Sequence, residues 1–312
     1  MNTAPTRVLV FAPDPVVTVT VEAGTERDEI HFHAGGQGVW VARMVAALGM
    51  EVSLCGPFGG EAGRVALALI ASGGIGLVEV ETSVSGGVYV HDRRSGERVS
   101  LAETPPEPLG RHDLDQLYGA ALAGALDAAV CVLGGPGPWA TPPIPPEVYR
   151  RLASDLSQNE RIVIADLSGE ALSAALAGGI SVLKVSHEEL IADGRATDAE
   201  LATLVSCLRR LRDEGAEHVI VTRGAEPAVA LVGDDVVQVT HPHLEAVEHR
   251  GAGDSLTAGI AAGLAQGRTI AEALRLGAAA GTLNVTRRGL ATGNRRDIER
   301  LAEHVTFEAL PG

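Results

Sequence analysis

The sequence predicts an α/β protein with a mainly parallel sheet, helices on both of its faces, and a small separate β sheet formed early in the chain. Beyond residue 105, short apolar runs alternate with segments of helical spacing, the rhythm of repeated βα units and hence of a parallel sheet. The N-terminal third breaks this rhythm, carrying two pairs of segments in which apolar and polar residues alternate, as in a sheet with one covered face. The chain's 312 residues, 46% of them hydrophobic, are enough for one large core.

The elements follow in order. "RVLVFAP" reads as a buried strand, and "VVTVTVEAG" and "DEIHFHAG" as the first alternating pair. A helix is expected over 38–49, stopped by Gly49. "EVSLCGPFG" is a strand and "EAGRVALALIASGG" a helix; "GGVYVHDRRSGERVSLAE" is a hairpin turning near Ser95 and Gly96. "DAAVCVLGG" opens the strand–helix alternation and is followed, after the proline-rich loop "TPPIPP", by a helix from about Pro146. Strands "RIVIADLS", "SVLKVS" and "HVIVTRG" then alternate with helices near 170–177 and 198–214, with the short segment "HEELIA" between them. "AVALVGDDVVQVT" is a second hairpin, and helices over 255–267, 269–284 and 295–304 close the chain.

Composition narrows the function. A net charge of -15 argues against binding to nucleic acid or to a membrane surface. It leaves an anionic small substrate open, because helix N-termini and a few cations can hold a phosphate. Cys55, Cys131 and Cys207 are far apart and form no CxxC pair, so no disulfide framework or zinc site is expected and a reduced cytoplasmic setting fits. The N-terminal apolar run is too short for a signal peptide, and no stretch reaches the roughly 18 apolar residues of a membrane span.

The chemistry lies in glycine turns. In "HRGAGDSLTAGIAAGLAQG" the glycines stand just before a helix, where backbone N–H groups lack partners and the helix dipole is positive. Glycine lets a ligand approach the backbone, so 251–253 form an anion hole. Asp254 at this turn has two readings: it caps the helix, or it takes a proton from a hydroxyl attacking a phosphoryl group. The motif is neither a Walker loop nor a dinucleotide fingerprint. "AGGQGVWVAR" is a second turn into a helix, and "LGGPGPWA" a loop at the end of a strand, where ligands of open α/β sheets bind.

In combination these motifs resemble the ribokinase-like (PfkB) carbohydrate kinase family over nearly the whole chain. "GGQGVWVARMVAALG" resembles its N-terminal glycine signature and "GAGDSLTAGIAAGL" its more specific C-terminal one. "IADLSGEALSAALAGGISVLKVSHEEL" is similar to the branch of 1-phosphofructokinases and tagatose-6-phosphate kinases, and "HVIVTRGAEPAVALV" to the segment that meets the nucleotide. The resemblance implies a single α/β/α domain over 1–312 with a β lid from about 14–34 and 85–102, dimerising through the lid. It implies transfer of the ATP γ-phosphoryl group to a sugar or sugar-phosphate hydroxyl, with Mg²⁺. Carried over by position, Asp254 is the base and Gly251, Ala252 and Gly253 the anion hole. Lys184, Ser186, Thr222, Arg223, Gly224 and Gly281 meet the nucleotide, and Glu189 orients Mg²⁺ through water. Asp14, Gly35, Gly36, Gln37, Gly38 and Trp40 face the acceptor.

Departures from the family pattern gather on the acceptor side. Val16 stands where an Asp usually binds sugar hydroxyls, with Asp14 two residues early; Gln37 and Trp40 replace smaller or different residues. Near Gly86 the usual lid Arg is missing. On the nucleotide side Ser186 replaces an Asn, and His249 and Arg250 precede the anion hole, where Arg250 either adds positive charge or is solvated. These changes leave the acceptor open: a sugar phosphate, a nucleoside-like or other small alcohol, or, in a catalytically weak homologue, a ligand that is only bound.

Overall fold

The computed structural model describes residues 6–245, 247, 249–287 and 291–310. In chain order its elements are β1 (Val8–Phe11), β2 (Val16–Glu22), β3 (Glu29–Gly35), α1 (Gln37–Ala47), β4 (Val52–Gly59), α2 (Gly60–Ala71), β5 (Gly76–Thr82), β6 (Val88–Asp92) and β7 (Val99–Thr104). The chain continues with α3 (Arg111–Leu126), β8 (Val130–Gly134), α4 (Pro146–Gln158), β9 (Ile162–Asp166), α5 (Gly169–Gly178), β10 (Ile180–Ser186), α6 (His187–Ala192), α7 (Leu201–Asp213) and β11 (Ala216–Arg223). It ends with β12 (Glu226–Val232), β13 (Asp235–Thr240), α8 (Ala252–Ala265), α9 (Ile270–Val285), α10 (Arg295–Ala302) and β14 (Thr306–Ala309).

The main sheet runs β14-β13-β12-β11-β10-β9-β8-β1-β4-β5. From β5 to β11 every neighbour pair is parallel, and the β11–β14 edge is antiparallel. Strand β1 shows why there are helices on both faces: Val8 and Val10 point into one core with α1, α8 and α9, while Leu9 and Phe11 point into the other with α3, α4, α5 and α7. A strand buried on both sides reads as an unbroken apolar run, which "VLVF" is. From β1 the chain winds outward through β4 and β5 on one side and through β8 to β11 on the other, so the sheet's switch point lies between β1 and β8. Ligands of such sheets bind there, beyond the strand C-termini.

The two alternating pairs form a separate sheet, β3-β2-β6-β7. Gly96 takes a left-handed φ of 87° where the β6–β7 hairpin turns. On β3, Ile30 and Phe32 are two residues apart and share a face; they are 61% and 57% exposed.

Three elements were not foreseen. In helix α3 small residues interrupt the apolar stripe of "DLDQLYGAALAGAL", yet Leu117, Ala121 and Ala125 bury it. Strand β5 is a mixed run paired to β4, and β14 is a short polar edge strand specified by its pairing to β13. The helix expected from residue 255 starts earlier, at Ala252, because Gly251 in the left-handed conformation (φ 73°) serves as its N-cap.

Candidate active site

The site is assembled at the C-terminal edge of the parallel strands. Asp166 ends β9 and Lys184 lies near the end of β10, next to it in register. Their side chains are 2% and 8% exposed, and Lys184 Nζ donates to Asp166 Oδ1 at 3.0 Å. The other oxygen, Asp166 Oδ2, accepts from Thr257 Oγ1 at 2.6 Å, which fastens α8 to β9. A buried ion pair is tolerable only when its remaining hydrogen-bonding capacity is met, and Thr257 meets part of it.

Helix α8 presents its N-terminus to this pair. A Cβ on Gly253 would fall 2.7 Å from Lys184 Nζ. The ammonium therefore lies against the backbone of the glycine turn. Behind it, α8 packs on α9 at backbone distance: a Cβ on Gly259 would fall 2.5 Å from Gly277 Cα, and one on Gly281 2.9 Å from the Ala252 carbonyl oxygen. Gly281 thus closes the seam at the start of α8.

Asp254 lies in the first turn of α8. Burial pushes its carboxyl up to about 7; the Asp166 carboxylate pushes the same way, Lys184 opposes, and Glu189 adds to the rise. Burial alone would lower the Lys184 ammonium, but Asp166, Glu189 and Asp254 hold it above its ordinary value. One cation facing three carboxylates leaves an electronegative site, and a carboxylate with a value near neutrality suits proton transfer at neutral pH.

Ser186 and Glu189 form a capping box at the start of α6: Ser186 N–H donates to Glu189 Oε2 at 2.8 Å, and Glu189 N–H to Ser186 Oγ at 3.2 Å. Ser186 therefore caps α6. Thr222 pairs with Ser186 across β10 and β11, and Gly224 follows in the left-handed region with open space around it. Arg223 turns away, its guanidinium directed at the carbonyls of Pro227 and Ala199.

On the acceptor side Asp14 and Gln37 each bind a loop amide through one oxygen. Asp14 is buried, and its Oδ2 accepts from Gly137 N–H at 2.6 Å and Trp139 Nε1 at 2.8 Å. Gln37 Oε1 accepts from Gly135 N–H at 2.6 Å. Both hold the loop after β8 at the switch point. Burial raises the Asp14 carboxyl to about 6, against the lowering effect of those hydrogen bonds. Gly35 and Gly36 lead into α1; Gly36 has φ 97° and sits against the Asp14 carbonyl, and Gly38 sits on Ala12. The Trp40 ring is covered by the Arg43 guanidinium, 4.7 Å from its centroid. Val16 is buried in β2, opposite Gly35.

The small sheet joins the body through a ring stack that no spacing in the sequence announces. Tyr89 of β6 stacks on Trp139 with centroids 4.9 Å apart and on His91 at 5.5 Å. Arg98 bonds His91, and burial, together with Arg98, Arg250 and Arg93, brings the His91 imidazolium down to about 4. Three cations thus act on His91: Arg93 and Arg98 from the β6–β7 hairpin and Arg250 from the segment before α8. Asp166, Thr257 and Trp139 were the other omissions; an Asp ending a parallel strand ("IADLS") was the one available sequence signal.

No helix of the described residues is long and apolar enough to cross a membrane. Among known proteins, the chain is 28% identical to an ATP-dependent 6-phosphofructokinase isozyme 2 of Mycobacterium tuberculosis over 95% of its own length and 89% of that protein's. It is 29% identical to a 1-phosphofructokinase of Haloferax volcanii, covering 86% and 88%. Its fold superposes on the crystal structure of phosphofructokinase-2 from Escherichia coli in complex with potassium with a TM-score of 0.85, at 26% identity over 96% and 98% of the two chains. The description "pfkB family carbohydrate kinase" matches residues 14–297, and the chain belongs to that family of kinases.

Proposed function

We propose that this kinase transfers the ATP γ-phosphoryl group to a hydroxyl of a phosphorylated ketohexose, the substrate class named in its phosphofructokinase relatives. The observation that carries the reading is the meeting of Asp254, Lys184 and the α8 N-terminus at one point beyond the strand ends. Asp254 takes the proton of the acceptor hydroxyl, the 251–253 amides receive charge developing on the transferring group, and Lys184 neutralises phosphate oxygens. Thr222, Gly224 and the β11 end line the nucleotide side. Mg²⁺ would supply further charge neutralisation of the phosphates when bound. Glu189, with one oxygen left outside its capping bond, would hold it through water.

A phosphorylated acceptor is favoured over a neutral one by the names of the relatives, and the charges of Arg98, Arg250 and Arg93, which act on His91, support it. A coupled ADP-release assay tests this. Fructose or tagatose phosphates are expected to turn over at least a hundredfold faster than fructose or nucleosides; faster turnover of an unphosphorylated acceptor would refute it. The protein also pairs with a second copy through the exposed Ile30 and Phe32 face of the lid, with Val99 and Leu101, 51% and 57% exposed, at its far edge.

A further inference from the structure

We propose that Asn284 is a positioning residue for phosphoryl transfer, one that sets the direction of the Gly251 N–H; this rests on 251–253 being the anion hole. Asn284 lies in the last turn of α9 and is 0% exposed. Its Nδ2 donates to the Arg250 carbonyl at 2.7 Å, and its Oδ1 accepts from Ala291 N–H at 2.9 Å.

The Arg250 carbonyl and the Gly251 N–H belong to one peptide unit. A trans peptide is planar, and its C=O and N–H point in opposite directions. By drawing the carbonyl toward α9, Asn284 turns the amide the other way. The next peptide is held from the other side, because the Gly251 carbonyl accepts from Ser255 N–H at 2.9 Å. Left-handed Gly251, with freedom no other residue has there, is thus clamped at both ends.

The surroundings make this clamp stiff. Val247 N–H donates to the Val285 carbonyl at 2.7 Å, tying the same two segments together a few residues earlier. Gly281, one turn before Asn284, lets α9 touch the start of α8. Ala291 N–H, donating into Oδ1, polarises the amide and strengthens the bond that Nδ2 makes. Burying an amide side chain is costly unless both ends are paired, and an apolar residue would fill the space without that requirement.

The test compares Asn284→Ala, which removes both bonds, with Asn284→Asp, which keeps an acceptor for Ala291 and loses the amide donor. Loss of one preorganised donor typically costs about 10²–10³ in kcat, so a misdirected one is expected to cost about tenfold or more. The expected result is that fall in kcat per folded enzyme, with KM for ATP and for the acceptor within threefold, and partial recovery in Asn284→Ser, whose hydroxyl can donate. A kcat within threefold of wild type in a folded Ala or Asp variant overturns the proposal. So does failure of all three variants to fold, which would make Asn284 purely structural. Asp254→Asn is assayed in parallel. Activity retained there sinks the site assignment itself, whereas activity lost there but kept in the Asn284 variants sinks only the positioning role.

Discussion

Asp254→Asn is predicted to make the ligand-free protein more stable at pH 8 while disabling it. The folded carboxyl is raised from 3.8 to about 7, mainly by burial. Below pH 4 it is protonated in both folded and unfolded chains, and the shift has no effect. Between about 4 and 7 the unfolded chain ionises while the folded one resists, so stability is lost as pH rises through that window; above it the loss is complete. At about 1.4 kcal/mol per pKa unit, the full penalty is roughly 4 kcal/mol. Removing the charge also removes some attraction for Lys184, which offsets part of the gain. A net gain of about 2–4 kcal/mol remains, or roughly 4–10 °C in Tm for a chain of this size. Differential scanning calorimetry at pH 5 and pH 8 measures it. The difference between variant and wild type should grow with pH; a flat difference, or a less stable variant at pH 8, would refute the reasoning.

Other consequences follow from the packing. Lys184→Met strands the buried Asp166 carboxylate on Thr257 alone and should cost about 3–5 kcal/mol in urea unfolding, most of it recovered when Asp166→Asn is added. Gly277→Val would place a Cβ 2.6 Å from the Leu256 carbonyl and 2.8 Å from Ile260, so it should destabilise by about 1–3 kcal/mol or more and lower kcat by shifting α8. Phe32→Glu on the exposed lid face should convert a dimer to a monomer in light scattering; an unchanged mass would place the dimer interface elsewhere.

Much of the fold was legible because its signals are local. Apolar runs such as "VLVF" and "IVIAD", short and flanked by turn residues, read as strands buried on two faces, and the glycines at 49, 96 and 251 mark turns by their backbone requirement. Helix α3 and strands β5 and β14 were missed because partners distant in sequence specify them. The glycine turns were equally legible, since a left-handed φ at Gly36 and Gly251 demands that residue type. The acceptor side was less so: that one oxygen of Asp14 and of Gln37 binds the loop amides of Gly137 and Gly135 is visible only in the fold. The ring stack of Trp139, Tyr89 and His91 joins a body loop to the lid, and no spacing in the chain announces it.

The central claim is that Asp254 is the base, and its most direct test is kcat of Asp254→Asn with the phosphosugar that wild type turns over fastest. General-base catalysis is typically worth about 10²–10⁴, so a fall of at least a hundredfold is predicted, with ATP binding retained. Turnover within a few-fold of wild type would contradict it.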